Sequence, residues 1–98
     1  MAIAKQYLKS KPICKVTFTV AAADAKKVAV VGDFNKWSAK EGALKKLKNG
    51  NFKGTFELPK ENTYEFKYVI DGAYVNDSEA DRFQWNDFAG TENGVLEV

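Results

Sequence analysis

From Ile13 to Ala21 the chain alternates, with Val16, Phe18 and Val20 on one side and Lys15, Thr17 and Thr19 on the other. Period two with β-branched residues predicts a half-buried strand. Val28, Ala29, Val30 and Val31 form a continuous apolar run, as expected of a strand covered on both faces. Gly32 and Asp33 suit a strand interior poorly and stop it. Phe34 then turns back to the core, while Asn35 and Lys36 stay in water. Trp37 follows three residues after Phe34. Two large rings so close at one strand end seldom both fit a small core. Two readings of Trp37 stay open: an exposed platform for a ligand, or a cap on the core.

Further along, Leu44 and Leu47 bracket Lys45 and Lys46 and suggest a brief edge strand. Asn49-Gly50 predicts a two-residue type I′ hairpin, because both residues tolerate positive φ. The next strand turns Phe52, Phe56 and Leu58 inward, with Gly54 in the same register, and Pro59 ends it. Tyr64, Phe66, Tyr68 and Ile70 alternate with Glu65, Lys67 and Val69. Asp71-Gly72 predicts a second hairpin turn, which Ala73 to Val75 leaves. Asn76 to Phe88 reads as irregular and aromatic-studded, and Val95 to Val98 as the last strand. At the start, Ile3, Tyr7 and Leu8 suit one side of a short helical turn. Pro12 disfavours helix at Lys11, so residues 1–11 read as an N-terminal arm on the domain. About seven short strands separated by turns predict an all-β protein, an immunoglobulin-like antiparallel β-sandwich.

Composition narrows the possibilities. Ninety-eight residues make a single domain, 1–98. A net charge of +2 gives little field for nucleic acid or an anionic membrane surface. Arg82 is the only arginine, which lowers the expectation of phosphate or base contacts. The three lysines at 45, 46 and 48 do not change that balance. The single cysteine, Cys14, excludes an internal disulfide and a cysteine-based zinc site. With no histidine, Ser-His-Asp and Cys-His catalysis are absent, as is the commonest metal ligand. No cofactor motif is present. No segment reads as a signal peptide or membrane span, so the expected location is cytoplasmic.

Two constellations remain. Asp77, Glu79 and Asp81 are closely spaced carboxylates, the groups used in glycoside hydrolysis. On an irregular loop of a small sandwich they read instead as residues that keep the loop solvated. The second set is aromatic. Trp37, Tyr74, Trp85 and Phe88 fall in or beside turns. Sugar rings present flat C–H faces to such side chains, and their hydroxyls need donors and acceptors. Lys67, opposite in parity to Phe66 and Tyr68, leaves the sheet on its outer face. With Thr91 and Asn93 it supplies candidate polar partners. Each of the three also has an ordinary reading as a solvated lysine, a residue before a strand and a turn asparagine.

Four separated pieces, VVGDFNKW, NGNFKGTFELP, YEFKYVIDGAY and AGTENGVLEV, stand in an order and spacing that resemble the family 48 carbohydrate-binding modules. That group includes the glycogen-binding domain of the AMP-activated protein kinase beta subunit and the early-set domains of isoamylases and branching enzymes. The resemblance runs from Lys26 to Val98, and the N-terminal part looks like small free-standing bacterial members. It implies a non-catalytic module for α-1,4-glucan, with a glucan-active enzyme as a further partner. In the kinase domain the glucan lies between two tryptophans, with a lysine and a C-terminal loop completing the site. By motif these fall on Trp37, on Tyr74 as a smaller ring, on Lys67, and on Thr91 and Asn93. The loop leucine falls on Ala89, which loses most of that contact. Trp85 has no counterpart; it either compensates for Tyr74 or belongs to the core. Related modules are often fused to hydrolases, whose barrel of about 250 residues has no room here. The rival expectation is a protein-interaction module that kept the fold and lost the sugar.

Overall fold

The computed structural model describes residues 2–87 and 90–98. Among them the chain forms β1 (Ala2–Tyr7), β2 (Ile13–Ala21), β3 (Val28–Gly32), a 3-10 turn (Asp33–Asn35), β4 (Lys45–Lys46), β5 (Asn51–Pro59), β6 (Thr63–Ile70), β7 (Ala73–Val75), β8 (Arg82–Asn86) and β9 (Thr91–Glu97). One sheet has the order β1-β2-β5-β4, and the other β3-β6-β9-β8 with β7 also on β6. Every pairing is antiparallel. This is the expected β-sandwich.

Alternation produces the core directly. Cys14, Val16, Phe18 and Val20 of β2 are fully buried against Phe66, Tyr68 and Leu96 of the other sheet. Phe18 sits at the centre, with ring centroids of Phe66 at 5.6 Å, Phe56 at 5.9 Å and Phe34 and Tyr68 at 6.1 Å. Of the expected core residues, Val16, Phe18, Val30, Phe66 and Tyr68 are wholly inside, while Phe34 and Phe56 are partly buried at its rim.

Several local expectations are corrected. Residues 2–7 form an edge strand on β2, from Ala2↔Thr19 to Tyr7↔Cys14, not a helical turn. A paired backbone outweighs the weak helical spacing of Ile3, Tyr7 and Leu8. The Asn49-Gly50 hairpin has a longer loop than expected. Gly50 donates its N–H to the Leu47 carbonyl at 3.0 Å, and of the loop residues only Gly50, at φ 90°, lies in the left-handed region. That is a β-turn closed by a glycine bulge. The two-residue type I′ turn is found at Asp71-Gly72, with φ 49° and 88° between the paired Ile70 and Ala73. Arg82–Asn86, expected to be irregular, pairs with β9 along its whole length.

The polar cluster at 77–81 is also structural. Asp77 is completely buried and accepts the Tyr68 hydroxyl at 2.7 Å and the Glu79 N–H at 2.8 Å. Burial first, and then the adjacent Asp77 carboxylate, push the Tyr68 phenol far above its usual range. Asp81 accepts Lys5 Nζ at 2.6 Å and the Glu97 N–H at 2.7 Å, tying β1 to β9.

One connection shields a sheet edge. After Trp37 the chain returns along β3, where Val30 N–H donates to the Gly42 carbonyl and Leu44 N–H to the Val28 carbonyl, both at 2.9 Å. It then crosses to β4 in the opposite sheet. The outer edge of β3 is thereby paired instead of left open.

Candidate functional site

The turn after β3 is fixed by two short polar side chains. Asn35, expected in water, is buried. Its Oδ1 accepts the Gly32 N–H and its Nδ2 donates to the Val30 carbonyl, each at 3.0 Å. Asp33 accepts the Glu65 N–H of β6 at 2.9 Å through Oδ2 and the Trp37 indole N–H at 3.3 Å through Oδ1. Lys36 and Trp37 follow with φ of 55° and 58°, a region bulky L residues rarely adopt. Each such residue costs of order 1–3 kcal/mol. The Trp37 N–H closes the loop onto the Gly32 carbonyl at 2.9 Å. This bend sends Phe34 to the core and leaves Trp37 38% exposed.

The lysine lies at a seam. The first half of β6, Thr63 to Phe66, pairs with β9. The last part, Tyr68 to Ile70, pairs with β7 along the same side. Lys67 is the residue between the two partners. Its parity puts it on the outer face, as expected, but it is only 7% exposed. Among the described residues, no acceptor hydrogen-bonds its ammonium. Tyr74, opposite Val69 on β7, is 66% exposed. Beyond β7, Asn76 Nδ2 donates to the Glu92 carbonyl at 2.8 Å and holds β7 beside β9 across the seam.

Thr91 and Asn93 lie on β9, not in a loop before it. Asn93 is 2% exposed, and its Nδ2 donates to Glu65 Oε1 at 3.2 Å. Trp37, Lys67, Tyr74, Thr91 and Asn93 line a single cleft of about 430 Å³. All five candidates come together on the outer face of the β3-β6-β9-β8 sheet. Asn86, at the end of β8, completes the lining. It escaped the sequence reading because β8 itself did, although the alternation of Phe83 and Trp85 with Gln84 and Asn86 carries the period of a strand.

Trp85 is outside the core, 55% exposed, and its indole N–H donates to Asp87 Oδ1 at 2.6 Å. It does not line the cleft that holds Tyr74. Phe88 and Ala89 lie outside the described residues. Among those described, no group of His, Cys, Asp and Glu side chains could hold a metal ion.

An all-β sandwich with an open aromatic cleft on one outer sheet face has the architecture of a carbohydrate-binding module. The family model described as the glycogen recognition site of AMP-activated protein kinase matches residues 15–98, and the chain belongs to that family. The match excludes β1. No curated protein matches the chain.

Proposed function

We propose that this domain binds α-1,4-linked glucan, such as glycogen, starch or maltooligosaccharide, without acting on it chemically. The observation that carries the reading is the convergence of Trp37, Lys67, Tyr74, Thr91 and Asn93 on one cleft in a chain of the glycogen-recognition family. Glucose rings stack on Trp37 and Tyr74, each worth on the order of 1 kcal/mol beyond area burial. Lys67 donates to hydroxyls, and Thr91 and Asn93 fix their orientation. Two platforms and a few wet hydrogen bonds correspond to a dissociation constant of roughly micromolar to millimolar. A neutral ligand releases no counterions, so affinity varies little with salt.

Absence of catalysis belongs to the same reading. Of the three closely spaced carboxylates Asp77, Glu79 and Asp81, Asp77 and Asp81 are already engaged by Tyr68 and Lys5. The purified chain is expected to release no reducing sugar from starch, glycogen or pullulan. A cytoplasmic location and a glucan-active enzyme as partner fit a soluble storage polysaccharide.

Titration with maltoheptaose, followed by tryptophan fluorescence, tests the reading. Saturable quenching or enhancement that is lost in Trp37→Ala supports it. An unchanged signal, together with passage through a glycogen column without retention, overturns it in favour of the protein-interaction module.

A further inference from the structure

A second cavity of about 460 Å³ lies beside the first, and Asn86 lines both. Its floor is the continuation of the same outer sheet face. Glu65 and Arg82 both pair with Val95, and Gln84 pairs with Asn93. Two contacts join the cavities. Glu65, which lines the second, accepts a hydrogen bond from Asn93, which lines the first. Asp33, which lines the second, accepts the indole N–H of Trp37, which lines the first.

The chemistry of this second cavity is that of a hydroxyl reader. Asp33 and Glu65 are acceptors, while the Gln84 amide carries both donors and an acceptor, the mixture that vicinal hydroxyls require. Carboxylates outnumber the single cation, Arg82, which is paired with Glu97 at 3.0 Å, so the cavity disfavours an anion. Trp85 borders the cavity at the sheet edge, but it is opposite in parity to Gln84 and Asn86, so its ring leaves β8 on the other side.

The geometry points to one continuous track for a glucan chain. Sugar units leaving the Trp37–Tyr74 cleft pass Asn86 and enter the second cavity, where Glu65 and Gln84 bind hydroxyls. The domain therefore selects chains long enough to fill both cavities. This rests on the glucan reading of the first cleft.

NMR titration of the full chain with maltotriose and with maltoheptaose tests it. Trp37 indole and Lys67 amide signals are expected to move with both sugars. Gln84 signals are expected to move with maltoheptaose alone. Maltoheptaose should bind about tenfold more tightly than maltotriose. Gln84→Ala should lose about fivefold in maltoheptaose affinity, with maltotriose affinity unchanged and backbone shifts elsewhere preserved. If Trp37 responds to both sugars while Gln84 responds to neither, or to both alike, the track is overturned and the first cleft stands. If neither sugar moves any signal, both readings fall.

Discussion

The two sheets present very different outer faces. On β2 and β5 the outward residues are mostly polar, half-buried on β2 and largely open on β5. Thr17 and Thr55, directly opposite in register, share a hydrogen bond of 2.8 Å between their hydroxyls. At the middle of β3, β6 and β9 outward residues are as hidden as the core: Val31 is 1% exposed, Lys67 7%, Asn93 2% and Val95 2%, whereas Thr63 and Glu97 at the strand ends are open. The first face pairs its central threonines with each other. The second is flanked by the turn carrying Trp37 and by β7 carrying Tyr74, so its strands form the floor of a cleft. On the proposed function, a sandwich thus gains a recognition surface without opening its core, by burying polar residues on the side that faces away from it.

Breaking the scaffold common to both faces has the largest effect. Phe66→Ala empties a fully buried site and should lower stability by roughly 3–5 kcal/mol, read from denaturant unfolding. Trp37→Ala should leave the unfolding midpoint near wild type, since the ring lies outside the core cluster, while glucan affinity falls more than about tenfold by calorimetry. Lys67→Met separates the faces more finely. Maltoheptaose binding should weaken about fivefold, with stability near wild type, because methionine keeps most of the buried stem while the ammonium it removes faces the cleft.

Acid probes the tie between the sheets. For Asp81, burial alone would raise the carboxyl, but the hydrogen bonds from Lys5 and the Glu97 N–H outweigh it and hold the group below its usual range. Its contribution is therefore present at neutral pH and is lost as pH falls from about 4 through the lowered value. Thermal melts at pH 7 and pH 3 should show a smaller drop for Asp81→Asn than for wild type, a difference of at most about 1 kcal/mol because the pair is partly open to solvent. The smallest effect is expected from replacing Thr17 and Thr55 together by valine. Stability should stay within about 1 kcal/mol and glucan binding should not change, as expected of a face with no ligand.

The self-satisfied sheet was legible in sequence because each of its long strands has one wet and one dry side. Lys15, Thr17 and Thr19 against Val16, Phe18 and Val20 leave only one register. The recognition sheet was harder to read. Arg82–Asn86 lies at an edge with no dry side, so its exposed Phe83 and Trp85 looked like loop aromatics. Asn93 is a residue that local preference assigns to turns, and pairing with β8 overrides that preference. Trp37, Lys67 and Tyr74 were read as site residues through motif resemblance as well as residue type. The devices that aim Trp37 were not read at all. Nothing in an isolated Asn35 or Asp33 says that its side chain will bind the backbone of Val30 or Glu65, since those partners appear only once the strands are assembled.

The position of β9 has a temporal consequence. Its register joins Glu97 to Thr63, as that of β2 and β5 joins Ile13 to Pro59. Such distant pairings pay loop-closure entropy before any contact rewards them, which places sandwiches of this kind in the millisecond-to-second range of folding. Lys67 acquires its neighbours Thr91 and Asn93 only when β9 docks between β6 and β8. A sugar chain therefore meets a competent surface only on molecules that have finished folding. By mass action it draws the population toward them, by about 2.7 kcal/mol at a hundredfold excess over the dissociation constant.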